Sequence, residues 1–309
     1  MDQPLLTIGI PTYNRAAFLA ECLESLKAAV GQSGFAEQIE IIVSDNASTD
    51  NTTELAAKFQ SQIPNFRYSR NQKNLEFDGN VFKILELCRG RWCWLMSDDE
   101  VVSPGALKFL RPLLENRPEV SYICINHGGL PQAKEVEFYQ NGSEWIKHLE
   151  LAGGLLSQNI FRMSSMPSGM EKYWGNFWPH FSIALEIMGK RGALLVKKLF
   201  IEPQPPRKSR FFKPAQVFYN YVSLFNIVKN LPNLGYQTSV IAMALNKMAK
   251  GLPRVMVTAK LLGAKPSFSD IKLLLTTYAG YPVSAALALL VYLAPTFVWK
   301  FFKRIKNRS

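Results

Sequence analysis

Acidic side chains all but vanish from the last two fifths of this 309-residue chain: beyond Glu186 only Glu202 and Asp270 remain, against 20 Lys and Arg. Residues 1–186 carry 16 basic and 22 acidic side chains, a net of −6, so the overall +12 hides a basic remainder of +18. Such a split assigns different work to the two parts, and the basic part needs an anionic partner. Charge of either sign is missing from Leu273 to Trp299, 27 positions in a row. Cysteine is scarce too: Cys22, Cys88, Cys93 and Cys124 form no CxxC, and His127 beside Cys124 has no further ligand spacing. That excludes a zinc site and a disulfide framework and predicts buried free thiols in a reducing compartment. The opening Met1-Asp2-Gln3-Pro4 has no basic region ahead of an apolar stretch, so the first domain is expected to stay in the cytoplasm.

What is present is a regular alternation. Mainly apolar stretches at Leu5–Ile10, Ile39–Val43, Trp92–Met96 and Val120–Ile125, with a shorter segment at Phe66–Ser69, read as strands. Between them lie helical patterns: Arg15–Val30 ahead of Gly31, a segment capped by Asp50, Val81–Cys88 capped by Asn80, and one opened by Ser103-Pro104. This predicts an α/β fold, a mostly parallel sheet with helices on both faces. Ligands in such sheets bind beyond the carboxyl ends of the strands, where Thr12–Arg15, Ser44–Asp50 and Ser97–Glu100 all fall.

Asp98, Asp99 and Glu100 directly follow a buried strand. Adjacent carboxylates repel unless a cation or solvent relieves them, which suits magnesium or manganese together with substrate phosphates; a solvated turn is the plainer reading. Asp45 ends a strand and is placed to touch a ligand, whereas Asp50 is a cap.

"IPTYNR" at 10–15, "VSDNASTDNT" at 43–52 and "WLMSDDE" at 94–100 together resemble glycosyltransferase family 2, of the Rossmann-like GT-A fold, over roughly residues 5–200. The resemblance implies inverting transfer of a sugar from a nucleotide-diphosphate donor. By position it places Pro11, Thr12 and Tyr13 at the base with Arg15 nearby, has Asp45 hydrogen-bond the base, and sets Asp98 near ribose and diphosphate. Asp99 is the implied metal ligand for Mg2+ or Mn2+. Met96 stands where many members carry another Asp, so the pair is Asp98 with Asp99 or Asp98 with Glu100. "NQKNLEFDGN" at 71–80 resembles the segment closing over the nucleotide, making Lys73 and Asn74 lesser candidates.

Family members usually place the base in a Glu-Asp pair opening a helix. Here Pro179 and His180 occupy those positions, so His180 is the candidate base, with Glu186 behind it. A neutral imidazole can take a proton near pH 7; the plainer reading is a His packed among Phe177, Trp178 and Phe181. Gly153-Gly154 could admit an acceptor or make a tight turn, and Tyr173, Trp174, Phe177 and Trp178 could stack on sugars or pack a core. The region looks closest to abequosyltransferase-like members that build bacterial O-antigen repeats.

Domain boundaries are expected at 1–202, catalytic, and 203–309, a basic linker at 207–213 followed by a helical extension. The uncharged run is broken by Gly280-Tyr-Pro282 and Pro295 and is followed by Lys300–Arg308. Two short helices dipping into one leaflet, with basic residues on anionic head groups, fit this better than a span; a buried hairpin is the other reading. The expected location is the cytoplasmic face of a bacterial inner membrane, with a polyprenyl-diphosphate-linked glycan as acceptor. Two further readings stay in play. A nucleic-acid-binding protein explains the charge but not the 27 uncharged positions, and no nucleic-acid partner is expected. A catalytically impaired transferase-like subunit accommodates the histidine substitution.

Overall fold

The computed structural model describes residues 3–125, 135–149, 153–204, 216–265 and 267–293. His127, the basic linker at 207–213 and the tail from Lys300 lie outside these residues. The chain divides into two compact units, Met1–Pro205 and Pro206–Ser309.

The first unit runs β1 (Leu6–Thr12), α1 (Ala16–Ser33), β2 (Ile39–Asp45), α2 (Thr52–Gln60), β3 (Phe66–Arg70), α3 (Glu76–Leu87), β4 (Trp92–Leu95), β5 (Glu100–Val102), α4 (Ala106–Glu115), β6 (Val120–Ile125), β7 (Val136–Tyr139), α5 (Gly142–Leu149), β8 (Asn159–Arg162), α6 (Pro179–Met188), β9 (Gly192–Val196) and β10 (Ile201–Pro203). Its main sheet has eight strands in the order β3-β2-β1-β4-β8-β6-β9-β7. The expected mostly parallel sheet is present; β8 and β7 run against their neighbours. β1, β2 and β6 are buried almost end to end, as strands of a sheet covered on both faces are, and their sequences are mainly apolar. β5 and β10 form a separate antiparallel pair.

Chain order reverses direction between β1 and β4, so a crevice opens at their carboxyl ends. Pro11 helps to open it. β1 stays paired with β2 through Thr12 but with β4 only to Gly9, and a proline beyond that point has no amide hydrogen to continue a ladder.

Three local expectations are corrected. Helix α1 ends at Gly34, in the left-handed conformation, and runs straight through Gly31. Helix α4 begins at Ala106, after Ser103-Pro104-Gly105. Asn80 caps nothing: α3 starts at Glu76 and Asn80 sits buried inside it. The start is set by Asn74, whose side-chain oxygen accepts the Glu76 amide at 2.8 Å.

The second unit comprises α7 (Gln216–Lys229), α8 (Thr238–Leu261), α9 (Phe268–Thr277) and α10 (Pro282–Leu293). Ser267 and Asp270 cap α9 reciprocally, and the Asp270 carboxylate also accepts the Tyr219 hydroxyl from α7. α10 is inside out. Its buried positions are the small Ala285 and Ala288, while Val283, Leu287, Leu290 and Leu293 are exposed. Among the described residues no helix is long and apolar enough to cross a membrane.

Candidate active site

Three strand ends and two helix starts enclose the crevice. At the end of β1, the Thr12 hydroxyl donates to Asp98 at 2.7 Å, joining β1 to the turn after β4. Arg15 lies across the acidic cluster, 2.9 Å from Asp98 and 2.6 Å from Asp99. Asp99 also accepts the Ser97 hydroxyl.

The two carboxyls differ in environment. Burial pushes Asp98 up to about 7, against the opposing pull of Arg15 and Thr12. Burial also raises Asp99, but its side chain is 41% exposed, and the Ser97 hydroxyl and Arg15 together hold it below the usual carboxylate range. Asp99 is therefore the carboxylate that stays anionic. Glu100 belongs to β5, where it pairs with Pro203. Among the described residues no three His, Cys, Asp or Glu side chains gather into a metal site. The residues still fit a divalent ion of the magnesium type, which takes one or two carboxylates and draws its other ligands from phosphates and water. Arg15 already supplies a cation to the same pair of carboxylates.

Asp45 ends β2 as expected, but its side chain is wholly buried. One oxygen accepts the Ser48 amide at 2.9 Å and the other accepts the Tyr68 hydroxyl at 2.6 Å. Burial and that bond push the Tyr68 phenol up to about 12. Asp45 thus shapes the turn and holds Tyr68. The loops after β1 and β2 are stitched together: Asn14 donates its amide to Ser48 and accepts from the Thr49 amide, and Asp50 accepts the Ala16 amide. Asn14 has φ +53, a conformation asparagine tolerates better than most residues. Tyr13, beside it, is exposed.

Sequence reasoning missed the hub of this region. Asn80 accepts from Ser44 Oγ at 2.6 Å and Asn71 Nδ2 at 3.1 Å, and donates to the Ser44 and Thr12 carbonyls. It ties α3 to β1 and β2. Asn74 accepts from Asn46, and Asn46 accepts the Leu75 amide, which sets the start of α3 against the end of β2; Lys73 is exposed nearby. A polar residue at the wall-facing position of an amphipathic helix was the available signal.

His180 is the second residue of α6, a helix buried along its whole length. Its Nε2 lies 3.0 Å from the Gly154 carbonyl, which can only accept, so Nε2 carries the proton. Nδ1 is buried with no partner. Burial pushes the imidazole down to about 4, keeping it neutral at pH 7. Gly153 makes a turn: it has φ +102, and a Cβ there would come within 2.6 Å of the Tyr122 hydroxyl. The next turn anchors to β4 and to the turn after it, with Trp94 Nε1 donating to the Ser157 carbonyl at 2.8 Å and Ser97 N donating to Ser157 Oγ at 2.7 Å. A short chain of contacts thus runs from the acidic cluster to the imidazole. Glu186 is engaged elsewhere, by Tyr173 and by Lys172 at 2.7 Å, which outweigh burial and hold it below its usual range.

A model of glycosyl transferase family 2 matches residues 7–163. An abequosyltransferase of Salmonella typhimurium is 36% identical over 215 residues, 62% of this chain and 63% of that protein. A Campylobacter jejuni GalNAc(5)-diNAcBac-PP-undecaprenol beta-1,3-glucosyltransferase is 30% identical over 108 residues, 35% of this chain and 33% of that protein. The chain thus spans less than two thirds of either relative. Among solved structures, a Pyrobaculum calidifontis mannosyltransferase in complex with GDP-Man and Mn2+ superposes with a TM-score of 0.58, at 16% identity, over 100% of this chain and 89% of that one; the likeness is one of fold.

Proposed function

Since the chain belongs to glycosyl transferase family 2, we propose that it moves a sugar from a nucleotide-diphosphate donor onto a lipid-linked glycan, with inversion, in the assembly of a bacterial surface polysaccharide such as O-antigen. The names of its Salmonella and Campylobacter relatives support the substrate class. The single observation that carries the chemistry is His180. It is neutral, its tautomer is set by the Gly154 carbonyl, and its Nδ1 lone pair has no partner.

In this reading the nucleotide lies over the ends of β1 and β2, against Pro11, Thr12, Tyr13 and the loop that Asp45 shapes. Arg15 bridges Asp98 and Asp99 until the donor diphosphate arrives, and then offers its guanidinium to that group. Asp99, and Asp98 beside it, would hold Mg2+ or Mn2+, whose chemistry is to neutralise charge on the leaving diphosphate. His180 Nδ1 takes the proton of the acceptor hydroxyl as it attacks the anomeric carbon in line. The low pKa of the imidazole means that protonation does not compete until well below neutral pH. The positive first turn of α6 disfavours the imidazolium further, so the proton must pass on to solvent.

The composition of the second unit supports work at a membrane. Residues 206–309 carry 16 Lys and Arg and a single acidic residue, Asp270. With the exposed apolar stripe of α10, they fit an anionic lipid surface at the cytoplasmic face of the inner membrane.

A thermal-shift panel of nucleoside diphosphates and sugar nucleotides, with and without Mg2+ or Mn2+, tests the donor half. Stabilisation that grows with ligand concentration is expected for one nucleobase, and a flat response to all of them overturns the reading. His180→Ala should abolish turnover while that nucleotide shift persists; wild-type-like turnover would remove His180 from the mechanism.

A further inference from the structure

Phe77 and Phe177 are exposed to water, at 42% and 38%, and the Phe177 amide is hydrogen-bonded to Asp78, the neighbour of Phe77. Phe77 sets its ring near His180, centroids 6.1 Å apart with the planes at 85°. Phe177, three residues before His180, has φ +63, a conformation a bulky residue adopts only when its surroundings impose it. Asp78 imposes it. One oxygen of this buried carboxylate accepts the Gly175 amide at 2.8 Å and the Phe177 amide at 3.3 Å. Asn176 secures the other side, accepting the Trp178 amide and donating to Ser182. Trp174 stacks on Phe82 at 5.8 Å, over Gly79, where a Cβ would lie 2.6 Å from the indole. A strained segment is thus held from several directions, yet the ring it presents packs into no core.

We propose that Phe77 and Phe177 are the stacking platform for the acceptor, a pyranose ring that lays its C–H face on these side chains and turns a hydroxyl toward His180 Nδ1. This rests on the transferase reading above and names the acceptor subsite within it. A sugar fits better than an alkyl chain because a hydroxyl satisfies the buried, unpartnered Nδ1 and a methylene does not. Asp78 is a positioning residue: it acts through the backbone of Gly175 and Phe177.

The experiment uses the full chain and saturation-transfer NMR with methyl glycosides of glucose, galactose, mannose and rhamnose as probes. Transfer to the C–H protons of at least one glycoside is expected. It should fall about fivefold in Phe77→Ala and in Phe177→Ala, and persist in Phe77→Tyr and Phe177→Tyr, which keep the ring. Phe177→Gly is the decisive variant. Relief of the left-handed φ should keep the melting temperature at or above wild type while the glycoside signal falls as far as in Phe177→Ala, a combination a purely structural role does not produce. Asp78→Ala should weaken the glycoside signal and leave the nucleoside-diphosphate shift unchanged. No transfer in the wild type, or transfer insensitive to both phenylalanines, overturns the platform. So does loss of binding to phosphatidylglycerol vesicles in these variants with glycoside transfer intact, which would make the rings a lipid contact. A nucleotide shift without glycoside transfer sinks the platform alone; absence of both sinks the transferase reading with it.

Discussion

His180 carries a pH signature of its own. The unfolded chain binds its proton near pH 6.5, whereas the folded protein, with the ring buried, does so only near 4. Between those values the unfolded state holds more protons, so stability falls as the pH drops, by about 3 kcal/mol across the window. His180→Gln should remove that component, and urea midpoints of the variant should change less than wild type between pH 7 and pH 4. Equal slopes would mean that the imidazole is not buried as a neutral ring. The residue type and place were legible from its position at the head of a helix. Its tautomer was not, because that depends on Gly154, 26 positions away in sequence. Asp45 teaches the same lesson from the other side. Its place at the end of a strand was legible, but Ser48 and Tyr68 take its oxygens, and only the neighbouring strand brings Tyr68 there.

At the scale of elements, α3 is the piece that builds the crevice. It lies so close on β1 that a Cβ at Gly9 would stand 2.1 Å from Ile84 Cγ2. Gly9→Ala should therefore destabilise by about 2 kcal/mol, read as a lowered urea midpoint at constant slope. Asn80→Leu keeps the shape but takes the acceptor from the Ser44 hydroxyl and the Asn71 side-chain amide, and the donor from two carbonyls, and should cost about 3 kcal/mol with a loss of the nucleotide-induced thermal shift. Four of the strands, β1, β2, β4 and β6, were legible because buried strands flanked by helices are mainly apolar; β3, FRYSR, was legible by its place in the alternation. The reversed strand β8, between β4 and β6, was not: "NIFR" has no alternation of its own, and its place comes from pairing on both sides. Asn80 has the local pattern of a cap, a polar residue before an apolar run, but the start of α3 depends on Asn74 and Asn46.

At the scale of the molecule, the prediction concerns α10. Large apolar side chains face outward at Val283, Leu287 and Leu290, spaced as one helical stripe, with alanines beneath. Leu287→Glu with Leu290→Glu should reduce sedimentation with anionic vesicles by about tenfold or more, since each leucine contributes on the order of 1–2 kcal/mol to burial in lipid. The nucleotide shift should be unaffected. Unchanged sedimentation would turn the stripe into a surface for something other than lipid. The uncharged run in the sequence could not separate lipid from protein as its cover; the inward placement of the alanines makes the distinction worth testing.

By itself the sequence determined the α/β class, the order of the strand-end clusters and the basic, apolar character of the C-terminal region. These follow from local periodicity and from charge counted along the chain. Tertiary structure alone decided which groups meet: Arg15 across Asp98 and Asp99, Asn80 beneath Thr12 and Ser44, Asp78 under Phe177, and the Gly154 carbonyl on His180. The physical reason is that a side chain's protonation and its freedom to act depend on its partners and its burial, and in this chain both come from residues far away in sequence.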